Sequence, residues 1–181
     1  LTPAEIANRA AVKDEELSAI FAAVEPPPVM KPVHIAVLGC GDRRLVAHHR
    51  MMFEKHMRRP VEITTFDITI EHLEGESGVV RHDCATPLPN PPYDITYAHV
   101  LLKFIETGKQ WDVIKNSCKV LRPGGLAIHV LDRIDYETKE VRLKDGLYAV
   151  PLGDHIRQLT DHGYKFHLIP LKYGQALVIR C

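Results

Sequence analysis

The stretch His34-Ile-Ala-Val-Leu-Gly-Cys-Gly-Asp-Arg-Arg44 constrains the fold of this chain more than any other. Ile35, Ala36, Val37 and Leu38 form an unbroken apolar run, which suits a parallel strand covered on both faces. Gly39 and Gly41 permit a sharp turn and a close approach of a ligand to the main chain. Asp42 is a good N-cap, so a helix is predicted to start there with its free N–H groups facing the turn. Strand, glycine turn and helix start, in that order, make the geometry of a nucleotide-type ligand site at the carboxyl end of a strand.

Composition narrows the setting. The 181 residues are 45% hydrophobic, enough for one domain with a full core. Basic and acidic residues balance at 23 each, so net charge does not call for nucleic acid or an anionic membrane. No apolar run is long enough to span a bilayer, and the first residues lack a signal-peptide pattern, so no membrane association is expected. Cys40, Cys84, Cys118 and Cys181 form no CxxC pair and no metal-ligand spacing with the eleven histidines. Reduced thiols in the cytoplasm and no bound metal are the expectation.

In chain order, Thr2-Pro3-Ala4-Glu5 is a capping box that opens a helix to about Arg9. Asp14-Glu15-Glu16 is predicted to open a second helix, with Leu17, Ile20, Phe21 and Val24 on its apolar face. Pro26-Pro27-Pro28 and Pro32 bound a stiff linker. Residues 1–32 therefore form a helical prefix, either packed on the main domain of residues 33–181 or closing over its ligand site. A helix from Leu45 to about Met57 directs Leu45, Met52 and Phe53 to the core. His48, His49 and His56 lack the four-residue spacing of a helical metal site and are expected to be solvated or boundary residues.

Val61–Phe66 is a second strand, ending at Asp67, 26 residues after Gly41. That spacing suits a carboxylate accepting from a ribose, and also suits a helix cap. The next crossover has room for only a turn or two of helix. Strands follow at Val79–His82, Tyr93–Val100 and Leu126–Leu131, the second of these emptying into Leu101-Leu102 and a helix, with another helix from Trp111 to about Val120 and a turn over Leu121–Gly125. Val141-Arg-Leu and Leu147-Tyr-Ala-Val pair as a hairpin around Asp145-Gly146. A helix from Asp154 to His162 precedes two antiparallel strands, Lys165–Leu171 and Gln175–Arg180. The predicted fold is α/β: a doubly wound, mostly parallel seven-stranded sheet with an antiparallel last strand.

Five features stand in order: Leu38-Gly39-Cys40-Gly41, Asp67 after the second strand, Asp83 after the third, Tyr93-Asp94 opening the fourth, and Leu121-Arg-Pro-Gly-Gly125 before the fifth. On these, most of residues 33–181 resembles the class I S-adenosylmethionine-dependent methyltransferases. The resemblance implies S-adenosylmethionine as cofactor. Leu38, Gly39, Cys40 and Gly41 would line its methionine and ribose portion. Asp67 would hold the ribose hydroxyls with Ile68 alongside, and Asp83 would accept from the adenine amino group with Cys84 nearby. His99 would sit beside the transferred methyl, as a general base or as a wall of the pocket. Lys103, Asp132, Arg133 and Tyr136 are candidates for the acceptor side, and His129 is expected to be structural.

Two positions depart from the family pattern. Val37 stands where an acid is usual, and Arg43 where a third glycine is common. Arg43 either crowds the site or pairs with the carboxylate of the cofactor. Asn90-Pro91-Pro92-Tyr93 matches a tetrapeptide used by amino-group methyltransferases, but it precedes the fourth strand and is read as a stiff turn. Arg44 replaces the third glycine of a dinucleotide fingerprint, which disfavours NAD. The expected function is methyl transfer to an unidentified acceptor, a small molecule before a nucleic acid or protein. The alternative is a non-catalytic scaffold of the same fold, favoured by Val37, Arg43 and the short crossover and opposed by the two strand-end acids.

Overall fold

The apolar run becomes β1 (Val33–Leu38), flanked by β2 (Val61–Asp67) on one side and β4 (Tyr93–His99) on the other. The computed structural model describes residues 1–28, 32–138 and 142–181. Beyond β2 lies β3 (Val79–Arg81). Beyond β4 lie β5 (Leu121–Asp132), β9 (Gly174–Arg180) and β8 (Lys165–Pro170). The order is β3-β2-β1-β4-β5-β9-β8, with β9 antiparallel to both neighbours and β1 to β5 mutually parallel. This is the doubly wound seven-stranded sheet expected from the sequence. The hairpin is also present, as β6 (Arg142–Lys144) and β7 (Leu147–Tyr148). Val141 and linker residues 29–31 lie outside the described residues.

Two apolar layers sandwich the sheet, because residues along each strand alternate between its faces. On one face, Ile35, Val37, Ile95 and Ile128 pack against α1 (Pro3–Ala23) and α2 (Arg44–Met57). On the other, Ala36, Leu38, Ala98 and Ala127 pack against α3 (Thr107–Lys119) and α5 (Leu152–Asp161). Burying each large aliphatic side chain fully contributes about 1.5–3 kcal/mol. A short α4 (Arg133–Glu137) follows β5.

Four local expectations are corrected. The two N-terminal helices are one, α1, because Arg9-Ala-Ala-Val-Lys13 contains only residues a helix accepts and no breaker. Asp14 is therefore mid-helix and pairs with Lys55 and His56 of α2. Leu121–Gly125 is not a turn outside the sheet but the first part of β5, with an irregular register opposite Tyr93–Ile95. Gly125 makes this possible, since a Cβ there would lie 2.9 Å from the Asp94 carbonyl oxygen. The helix entered after β4 is a single 3-10 turn, Leu102–Phe104. His49 is buried, not solvated, because α1 covers its face of α2.

Buried polar groups fix the loops. Gln110 donates to the carbonyls of Leu102, Ile105 and Ala149 at 3.0–3.1 Å and accepts from His155 Nε2 at 2.9 Å, tying α3, α5 and the turn after β4. His129, expected to be structural, meets Ser117 Oγ at 2.9 Å in the interior of β5. Burial pushes the imidazoles of both His129 and His155 down to about 4. In the unfolded chain they titrate near 6.5, so between these values the unfolded state holds more protons and stability falls as pH drops. The loss expected at pH 4 is roughly 3 kcal/mol for each histidine. Urea denaturation at pH 7 and at pH 4.5 checks this. A midpoint that does not fall on acidification contradicts it.

Candidate functional site

The chain leaves β1 toward β2 and β3, then returns to build β4 and β5 on the other side. A crevice opens where the two halves part, at the carboxyl ends of the strands. It is a cavity of about 1060 Å³, lined by the ends of β1 to β5 and covered by α1. Its floor is the glycine turn. Gly39 has φ +84°, and a Cβ there would come within 3.1 Å of Leu101 Cδ1. A Cβ on Gly41 would meet only open space.

Asp67 is held by two backbone donors: Cys40 N–H at 2.9 Å and Thr69 N–H at 3.2 Å. His72 donates through Nε2 to the Cys40 carbonyl at 2.7 Å and so clamps the same turn. Asp83 fixes its own loop by accepting from Ala85 N–H at 2.9 Å through Oδ1. Its Oδ2 has no hydrogen-bond partner among the described residues, and Asp83 lines the cavity. Burial, together with the carboxylates of Asp67 and Asp83, pushes the Cys84 thiol up to about 12, so Cys84 is an inert wall rather than a nucleophile.

The helix starts later than expected, at Arg44 with Arg43 rather than Asp42 in the N-cap position, but Asp42 still holds its first turn. Its Oδ1 takes the Arg44 backbone N–H at 2.9 Å, and its carboxylate grips the Arg44 guanidinium at 2.8 and 3.0 Å. Those bonds hold the Asp42 carboxyl well below the usual carboxylate range. Arg44 also donates to the Leu1 carbonyl at 2.8 Å, tying the start of α1 to the turn. Arg43 emerges on the outside, 4.0 Å from Glu76 Oε1, and lines only a smaller depression with Gly41, Asp42, Arg44 and His72.

A polar seam joins α1 to the sheet. Glu16 Oε1 accepts from His99 Nε2 at 2.8 Å. Lys13 Nζ donates to His49 Nε2 at 3.0 Å and sits 5.7 Å from the centroid of the Tyr97 ring. Burial lowers Lys13 to about 8 and keeps His49 well below its usual value. His99 is lowered by burial first and by the Lys13 charge next, against the opposing pull of Glu16. Val100 follows His99 with φ +56°, a left-handed conformation that a β-branched residue adopts at a cost of about 1–2 kcal/mol. Its N–H is held by the Val130 carbonyl at 2.9 Å.

The cavity brings together Leu38, Gly39, Cys40, Gly41, Asp67, Ile68, Asp83, Cys84 and His99. Arg43 is not among its lining residues, because the Asp42–Arg44 fork turns the helix start away from it. Of the residues expected on the acceptor side, Lys103, Asp132 and Arg133 line the cavity, with Lys103 and Asp132 at 3.6 Å, but half-buried Tyr136 packs against the core instead. The rim adds exposed apolar groups: Phe104, Ile134 and Tyr173. Asn90–Tyr93 lies at the amino end of β4, away from the cavity. Sequence reasoning missed Lys13, Glu16, His72 and Val100. One signal was present: Lys13 lies in the helical stripe Ile6, Leu17, Ile20, where a charge is out of place unless it faces a site.

No family model and no curated protein matches the sequence. Solved structures do match. An O-methyltransferase family protein from Burkholderia thailandensis superposes with a TM-score of 0.66 at 10% identity, over 93% of this chain and 56% of that one. The class I methyltransferase fold is this chain's fold. The plantazolicin methyltransferase BpumL in complex with SAH gives a TM-score of 0.64 at 11% identity, over 95% of this chain and 84% of that one. A S-adenosylmethionine-dependent methyltransferase from Clostridium acetobutylicum gives 0.62 at 12%, over 93% and 90%. The chain spans about half the length of the Burkholderia protein and most of the other two.

The seam makes directional predictions. Glu16→Gln is expected to lower the His99 pKa further, whereas Lys13→Met is expected to raise those of His99 and His49. Imidazole titration by NMR reads both, and an unchanged His99 in Glu16→Gln would show that the pair does not form in solution. At Val100, glycine removes the left-handed penalty, offset in part by its own chain entropy, so Val100→Gly is expected to gain about 1 kcal/mol in urea denaturation. A loss of stability would mean that the turn is not strained.

Proposed function

We propose that this chain is an S-adenosylmethionine-dependent methyltransferase acting on a small-molecule acceptor. One observation carries the reading: a glycine turn, two strand-end carboxylates and a His–Glu pair face one cavity, at the point where the sheet reverses direction. The residues fit the cofactor. Asp67 is preoriented by backbone donors to accept from ribose hydroxyls, the unpartnered Oδ2 of Asp83 can accept from an adenine amino group, and Gly41 leaves the floor open. Leu38, Ile68 and Cys84 supply apolar walls.

Bound S-adenosylmethionine supplies a methyl group on a sulfonium, which needs alignment more than activation. The chain provides that alignment, and α1 keeps water from the crevice. Glu16, an acceptor only, fixes the His99 proton on Nε2 and leaves the Nδ1 lone pair to take a proton from the acceptor. Burial and Lys13 keep the imidazole neutral and ready, and the Glu16 carboxylate stabilises the imidazolium once formed. The apolar rim of Phe104, Ile134 and Tyr173, and a balanced net charge, favour a small, largely apolar acceptor over nucleic acid. Four free thiols suit a reducing compartment such as the cytoplasm; no helix among the described residues is long and apolar enough to cross a membrane.

Calorimetric titration with S-adenosylmethionine and S-adenosylhomocysteine tests the reading. The protein is expected to bind both. Asp67→Asn, which keeps an oxygen for Thr69 N–H, is expected to weaken binding about 10- to 100-fold. His99→Gln should leave S-adenosylhomocysteine affinity within about twofold, as suits a group acting on the acceptor. No binding by folded protein would sink the enzyme reading and leave the scaffold alternative.

A further inference from the structure

Two of the four thiols meet, at the end of the sheet away from the crevice. Cys118 lies in the last turn of α3, four residues after Ile114, and both are buried in the apolar layer between that helix and the sheet. Cys181 follows β9, where alternation puts it on the same face as Leu177 and Ile179, in the same layer. Its backbone is pinned to the start of β5. The Cys181 N–H donates to the Gly125 carbonyl at 2.9 Å, and its carbonyl accepts from the Gly124 N–H at 2.5 Å. Cys118 is tied to the same strand, because only Lys119 and Val120 separate it from Leu121. One corner of the fold therefore carries both sulfurs.

The two side chains are in hydrogen-bond contact. That bond, together with burial, raises the Cys118 thiol, and the same bond lowers the Cys181 thiol. Cys118 is thus the donor, and Cys181 is the sulfur that loses its proton first. Exposure divides them the same way: Cys118 is 4% exposed, whereas Cys181 is only half-buried. Cys40 and Cys84 differ on every count. They line the crevice, past the carboxyl ends of β1 and β3, and both are buried and raised chiefly by that burial.

We propose that Cys118 and Cys181 are a redox pair that hydrogen peroxide closes to a disulfide. The Cys181 thiolate attacks one peroxide oxygen. The O–O bond breaks, and the departing hydroxide takes up the proton Cys181 gave away and leaves as water. The Cys118 sulfur then attacks the sulfenic sulfur of Cys181. An S–S bond forms, the S–O bond breaks, and the hydroxyl leaves with the Cys118 proton as a second water. The two thiols lose two electrons and the peroxide gains them. The bridge joins positions 63 apart, so it restricts the unfolded chain and stabilises the closed form. None of this depends on the cofactor reading.

The experiment treats the full chain with a small excess of hydrogen peroxide and counts free thiols in denaturant. The four thiols are expected to fall to two, with no covalent dimer, and peptide mapping is expected to join Cys118 to Cys181. Dithiothreitol should restore all four, and the urea midpoint should rise on oxidation and return on reduction. Cys181→Ser, a change at the half-buried position, should keep its three remaining thiols at the same dose and show no shift in midpoint. In Cys118→Ala the unresolved Cys181 should proceed to sulfinic acid. A native chain that keeps four thiols, cross-links through Cys40 or Cys84, or carries sulfinic acid at Cys181 without a cross-link overturns the pair.

Discussion

The parting of the chain at β1 and β4 is the constraint on which the rest depends. Crossovers to one side build β2 and β3, and later ones build β4 and β5 on the other, so no crossover helix fills the space above the junction. That space needs a roof if it is to be dry, and α1 supplies one. The helix is anchored at one end by Arg44 on the Leu1 carbonyl and along its length by Leu17, Ile20 and Val24 in the core. Between these anchors it brings charged groups, Arg9, Lys13 and Glu16, to the cavity beside Val12. The site is therefore finished by a helix that precedes the sheet in sequence, and its chemistry depends on how that helix sits.

The seam beneath α1 does not exist for stability. Tyr97 Oη and His49 Nδ1 are buried without hydrogen-bond partners among the described residues, and such groups cost about 1–3 kcal/mol each. Lys13, lowered from 10.5 to about 8, carries a further penalty of roughly 3 kcal/mol while it stays charged at neutral pH. An apolar layer of the same shape would hold the helix more firmly. What the polar layer provides is control of one imidazole. Burial and the Lys13 charge push His99 toward neutrality, Glu16 pulls the other way, and the ring is fixed in one tautomer.

The sequence was informative where backbone chemistry dictates structure. A strand buried on both faces must be a continuous apolar run, a tight turn with φ +84° calls for glycine, and acids at strand ends read directly as Asp67 and Asp83. It was poorly informative where the outcome depends on what packs above. His49 looks solvated on its own helix and is buried only because α1 lies over it. Glu16 and His99 are 83 positions apart, and nothing local links them. Val100 has no side-chain trait that announces a left-handed turn; the Val130 carbonyl and the end of β4 impose it.

Arg43 shows how one small rotation settles a question that composition leaves open. A bulky cation in place of a third glycine would block the site if its Cα–Cβ bond pointed into the crevice. The Asp42 carboxylate prevents this by holding both the backbone N–H and the guanidinium of Arg44, which sets the angle at which α2 leaves the turn. Arg43 then faces Glu76 and water. The same fork occupies the helix terminus with a negative charge, so one capping residue both keeps the floor of the site open and denies it an anion seat there.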